Sequence, residues 1–128
     1  MPNILQIRPQ TKTIDNLQYV LIPLGGHLDD AALPEFEMTV EPLMQGQHAY
    51  LVFDLGDLSF LNTRVIGYLT TIHNRSQKAE KQIAFVNSNE IIFDILEMAG
   101  LNELVPTYDE EAAFVAAVRN QMLNTPVG

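Results

Sequence analysis

Three histidines, His27, His48 and His73, are scattered along the chain, and no carboxylate stands beside them at the spacing of a zinc or di-metal motif. No metal site is expected. The group His27-x-Asp29-Asp30 offers hard oxygen ligands, but a turn rich in glycine and aspartate is ordinary turn chemistry. Gly25-Gly26 precedes it without the three-glycine dinucleotide fingerprint or the Gly-Lys-Ser/Thr ending of a phosphate loop, so a small-molecule site would rest on this glycine pair alone. No serine sits in a Gly-x-Ser-x-Gly elbow, no cysteine is present as a nucleophile, and no sequence-local acid and base stand out. No catalytic residue and no cofactor are assigned, and an enzyme is not expected.

The bulk properties point the same way. At 128 residues, the chain fits one domain, placed at 1–123 with 124–128 as a loose tail. With 47% apolar and 18% charged residues it has the balance of a folded protein. Seven Lys and Arg against 16 Asp and Glu leave a net charge of -9, which repels phosphate backbones and anionic lipid, so neither nucleic acid nor membrane is expected as a partner. The absence of cysteine suits a reducing compartment. The first residues lack a basic region followed by an apolar stretch, and no run approaches the roughly 18 apolar residues of a membrane span. The expected location is cytoplasmic.

Which elements carry the polar groups follows from periodicity. Ile4 to Arg8 and Tyr19 to Leu24 read as strands joined through a polar stretch with Asp15-Asn16, as a hairpin or wide turn. Phe36, Val40, Leu43 and Met44 recur at i, i+4, i+7 and i+8, which predicts a helix that kinks or ends at Pro42. Tyr50 to Phe53 and Ile83 to Val86 are continuous apolar runs of strand length, buried on both faces, the first of them central in the sheet. A helix runs from Val65 to about Glu80, and another carries Ile91/Ile92 and Ile95/Leu96 from a cap in Asn87-Ser88-Asn89 to a stop at Gly100. Leu104 to Thr107 reads as a short edge strand, and Asp109-Glu110-Glu111 opens a last helix with Phe114, Val118 and Met122 on its face. Alternation of strand and helix from residue 50 onward demands parallel strands with right-handed crossovers, an α/β fold.

The segment Asp54-Leu55-Gly56-Asp57-Leu58-Ser59-Phe60-Leu61-Asn62-Thr63-Arg64-Val65-Ile66-Gly67 reads as a buried strand, an acidic loop with apolar residues, and a helix start. It resembles the STAS family of bacterial anti-sigma factor antagonists, whose hallmark is a strand ending in Asp, an Asp-Leu/Val-Ser-Phe loop, and Asp-Ser-Ser/Thr-Gly-Leu-Gly opening a helix. Asp57 to Phe60, Ile66 and Gly67 match in place. Gly25 with its following turn, the strand from Ile83 to Asn87, and Leu96-Glu97-Met98-Ala99-Gly100-Leu101 are also similar to family patterns.

The resemblance implies a STAS-like mixed, mostly parallel sheet of about five strands with about four helices, largely on one side, acting as a protein-binding switch in signal transduction and transcription regulation. The implied partners are an anti-sigma factor/serine-threonine kinase or another STAS-binding regulatory protein, with a serine phosphatase reversing phosphorylation; oligomeric state is open, a homodimer included. The implied partner surface takes in His27, Asp29 and Asp30 together with Asp57, Ser59, Leu61, Asn62, Arg64, Val65 and Gly67. The chain departs from the family where it is most functional: Asn62 replaces the aspartate, Arg64 stands at the sporulation-type phosphoserine, and Val65 replaces the glycine. Asn62-Thr63-Arg64-Val65 is similar instead to the stressosome variant Asp-Ser/Thr-x-Val/Ile-Ala, which uses the first hydroxyl and makes Thr63 the candidate phosphoacceptor. The alternative is an unphosphorylated STAS scaffold or accessory subunit, stressosome-like or transport-complex-like.

Elementary chemistry accommodates both. A Thr or Asn before an amphipathic run is first an N-cap worth about 1 kcal/mol, and Asn62 or Thr63 fills that role. A phosphate at the same helix end would gain N–H donors and the Arg64 guanidinium. Arg64 otherwise opposes the helix dipole by roughly a few tenths of a kcal/mol, which favours its use as a partner contact. Leu58, Phe60 and Leu61 read as the plug between strand and helix, Phe60 among the buried.

Overall fold

The computed structural model describes residues 4–123; the expected tail at 124–128 lies outside the described residues. In chain order the elements are β1 (Gln6–Ile7), β2 (Gln10–Ile14), β3 (Leu17–Leu28), α1 (Leu33–Met44), β4 (Tyr50–Leu61), α2 (Thr63–Lys78), β5 (Gln82–Val86), α3 (Glu90–Met98), α4 (Leu101–Leu104), β6 (Thr107–Tyr108) and α5 (Glu111–Leu123). One sheet has the order β1-β3-β4-β5-β6, with β2 also paired to β3. β1 and β2 run antiparallel to β3, while β3, β4, β5 and β6 are mutually parallel. The sheet is thus mixed and mostly parallel, as the sequence led one to expect.

The apolar runs form its centre because both faces are covered. Leu51 and Phe53 of β4 and Ile83 and Phe85 of β5 pack with Phe36 and Val40 of α1, Leu69 and Ile72 of α2, and Ile92 and Leu96 of α3. Val52, Ala84 and Val86 point the other way, against Phe114 and Val118 of α5. Strands buried on both faces carry no polar alternation, which is why Tyr50–Phe53 and Ile83–Val86 were legible as runs. Each such aliphatic or aromatic side chain removed from water contributes roughly 1.5–3 kcal/mol.

Several boundaries differ from the sequence reading. The polar stretch before Asp15 is β2, an edge strand with only Ile14 buried, and it closes on β3 through a tight turn in which Asp15 takes φ 55°. A strand so exposed has no apolar alternation to betray it. α1 continues through Pro42 to Met44. Residues 101–104 form the short helix α4, entered through Gly100 at φ 74°, and the edge strand lies later, at Thr107–Tyr108. β3 and β4 also outrun their apolar cores, each reaching twelve residues, so His27 and the segment from Asp57 to Leu61 are strand.

Candidate functional site

The C-terminal halves of β3 and β4 bring the two sequence-predicted segments side by side. Gly25 pairs with Asp57, Gly26 with Leu58, His27 with Phe60 and Leu28 with Leu61. The register slips twice, each time leaving an extra residue on β4, and Ser59 is the unpaired residue of the second slip. A β-bulge of this kind resets the alternation. Leu58 and Leu61 both turn into the core, at 1% and 3% exposure, while Ser59 and Phe60 both face solvent, Phe60 at 41%. The reading of Phe60 as a buried plug is therefore corrected: it lies against the His27 ring, with centroids 5.6 Å apart, on the outer surface. Within the glycine pair it is Gly26, at φ 79°, that takes the backbone conformation favouring glycine.

Beyond the strands the chain turns. Asp29 Oδ1 accepts from the Ala32 N–H at 3.1 Å, steering the backbone into α1. Asp30 is exposed and faces the start of α2, where Asn62 Nδ2 donates to its Oδ1 at 2.7 Å and Arg64 pairs with its Oδ2 at 3.9 Å. Asn62 is also the N-cap of α2: its Oδ1 accepts from the Val65 N–H at 3.0 Å. Of the two cap candidates it is Asn62 that fills the role, and Thr63 occupies the first helical position, exposed.

His27, Asp29, Asp30, Asp57, Ser59, Asn62, Thr63, Arg64 and Gly67 thus share one edge of the molecule. Leu61 and Val65 do not belong to its surface. Val65 is fully buried, because the residue three beyond the cap points back under the helix against the sheet, and Leu61 is turned inward by the bulge; both are corrected to packing residues. Gly67 is exposed one turn after Thr63, and a Cβ placed there would meet nothing within 4 Å. The fold itself does not require glycine at that position.

One cluster of lining residues was missed by the sequence reading. Gly56, Asp57, Leu58 and Ser59 of β4 border an open cleft of about 500 Å³ with Asn89, Glu90 and Ile91 at the start of α3. Asn89 stitches it, donating from Nδ2 to the Leu58 carbonyl at 2.8 Å while its Oδ1 caps the Ile92 N–H at 3.0 Å. The signal was half present: Asn89 read as a helix cap, but its second bond depends on where the bulge carries Leu58. Among the described residues no group of three His, Asp or Glu is placed to hold a metal ion, and no helix is long and apolar enough to cross a membrane.

Comparison with known proteins agrees with this architecture. A family model for the STAS domain matches residues 8–113. An anti-sigma factor antagonist from Mycobacterium paratuberculosis superposes with a TM-score of 0.78 at 18% identity, covering 93% of this chain and 97% of the other. The Bacillus cell fate determinant SpoIIAA in its phosphorylated form gives 0.66 at 18% identity over 88% and 99% of the two chains. An anti-sigma-factor antagonist (STAS) domain protein from Planctomyces limnophilus gives 0.69 at 16% over 87% and 95%. No curated protein matches the chain in sequence. The match of the family model over most of the chain, on a mixed sheet of this order, makes the protein a member of the STAS domain family.

Proposed function

We propose that the protein is a cytoplasmic, non-enzymatic regulator of the anti-sigma factor antagonist type. It binds an anti-sigma factor/serine-threonine kinase through the edge formed by residues 27–30 and 57–67, with Thr63 as the phosphoacceptor and a serine phosphatase restoring the hydroxyl. The observation that carries this reading is the division of labour at the start of α2: Asn62 supplies the cap, so the exposed Thr63 hydroxyl is not needed for it. The amides of Thr63 and Arg64 occupy the first two helical positions and have no intrahelical acceptor. A phosphate on Thr63 would meet those donors and the Arg64 guanidinium, which Asp30 holds only at 3.9 Å. Its added charge of about -1.5 to -2 would change the sign of the partner contact locally.

A second reading, a scaffold or accessory STAS subunit without a phospho-cycle, is favoured by the same Asp30 contacts, because they hold the edge together with no phosphate present. Pull-down followed by partner identification and phosphosite mapping separates the two. A serine kinase of the histidine-kinase-like ATPase fold, and phosphate on Thr63, support the switch; a stable assembly with a transporter or sensor subunit supports the scaffold. Phosphate on Ser59 or Thr70 but never on Thr63, with Thr63→Glu binding as tightly as wild type, eliminates the switch.

A further inference from the structure

From residue 82 to residue 118 the chain contains no Lys, Arg or His, while seven of its 16 carboxylates fall there. α3 lies in this stretch and displays two parallel lines of side chains. Ile91, Ile95 and Met98 recur at i, i+4 and i+7, and Glu90, Asp94 and Glu97 do so beside them. Ile92 and Leu96 already bury the inner face of the helix against the sheet. Ile95 is partly buried against that core, while the two ends of the apolar line are left to solvent: Ile91 is 66% exposed and Met98 88%, with Leu104 exposed just beyond. None of Glu90, Asp94, Glu97 and Glu103 has a cationic partner among the described residues.

We propose that this face docks a basic amphipathic helix of another protein, its apolar line laid on Ile91, Ile95 and Met98 and its lysines or arginines on Glu90, Asp94 and Glu97. Large exposed apolar residues in a row mark contact surfaces, and a helix with matching i, i+4, i+7 anchors is the occupant that fits such a row. The sign of the flanking charge selects the partner. A second copy of the chain would bring carboxylate against carboxylate on this face, and nucleic acid or anionic lipid would be repelled. The inference does not depend on Thr63. Glu90 and Ile91 also line the cleft that reaches Ser59, so the two surfaces adjoin at the bulge of β4.

The test titrates the full chain with a synthetic peptide of about 14 residues carrying leucines at i, i+4 and i+7 flanked by lysines, and with a shuffled peptide of identical composition, following backbone amide shifts by NMR. The expected result is shifts confined to residues 90–104, binding weakened roughly tenfold for the shuffled peptide, and a similar loss for Met98→Glu and for Asp94→Lys/Glu97→Lys. All three positions are exposed, and thermal unfolding at the wild-type temperature checks that the variants are folded. Equal binding of the two peptides, wild-type affinity in Met98→Glu, or shifts centred on residues 57–67 would overturn the proposal. Any of these leaves the Thr63 experiment unaffected.

Discussion

Asn62 donates from Nδ2 to Asp30 Oδ1 at 2.7 Å while capping α2 with its other side-chain atom, so one carboxamide ties the turn after β3 to the helix after β4. An aspartate, the residue typical of the family at this position, caps a helix equally well but cannot donate. Next to Asp30 it would set two carboxylates at hydrogen-bond distance. The expected outcome is a coupling in a double-mutant cycle: Asn62→Asp is less favourable by about 0.5–1 kcal/mol when Asp30 is present than in the Asp30→Asn background, from urea unfolding at neutral pH. Additive effects would mean that the contact carries no energy in solution.

Because the cap resides in Asn62, Thr63→Val should leave stability within about 0.5 kcal/mol of wild type, whereas Asn62→Ala should cost about 1 kcal/mol or more. Chemical denaturation of the two variants side by side decides it. A Thr63→Val loss as large as that of Asn62→Ala would return the capping role to Thr63.

Gly67 offers a separation of stability from binding. It is exposed inside α2 with open space where a Cβ would go, so Gly67→Ala should raise stability by about 0.5–1 kcal/mol. If a partner approaches the helix start closely, the same methyl should weaken its binding. Calorimetric melting and an affinity measurement on one variant read both halves; a more stable variant that binds the partner normally removes Gly67 from the contact.

The bulge at Ser59 predicts opposite responses from neighbouring apolar residues. Leu58→Ala removes a core side chain and should cost about 2–5 kcal/mol, while Phe60→Ala removes an exposed one that lies against the His27 ring and should cost about 1 kcal/mol or less. Equal large losses would place Phe60 inside, as strict alternation without a bulge would.

Acid sensitivity should reside in the tie between α1 and α2. Arg75 donates to both oxygens of Glu41 at 2.7 and 2.8 Å and the Tyr68 hydroxyl donates to one of them at 2.6 Å. The Arg75 hydrogen bonds, then that of Tyr68, lower the Glu41 carboxyl to about 2. A carboxyl depressed on folding stabilises above its ordinary value of 4.5 and loses that contribution as pH falls towards about 2. The pair is partly exposed, so the contribution is about 1 kcal/mol. Glu41→Gln should be less stable at neutral pH and should show a flatter loss between those two pH values in denaturant titrations.

What the sequence by itself determined is what repeats or stands in register along the chain. Tyr50–Phe53 and Ile83–Val86 are apolar on consecutive positions because helices cover both faces of their sheet; Leu69 and Ile72, and Ile92 and Leu96, recur at helical spacing because one side of each helix is buried. The Asp-Leu-Ser-Phe segment and the helix start after it carried the family by their order alone. The tertiary structure decided everything that depends on pairing across the chain. Strand β2 exists because β3 offers it an edge, not because its own residues alternate. Phe60 faces solvent and Leu61 the core, the reverse of strict alternation from Leu58, because one unpaired residue, Ser59, shifts the register, and no local pattern announces a bulge. Asn62 is the cap and Asp30 its acceptor because parallel pairing of β3 with β4 ends both strands at the same edge, bringing together residues thirty-two positions apart. Side-chain chemistry is written residue by residue, but which side chains meet is set by strand register, a property of two segments at once.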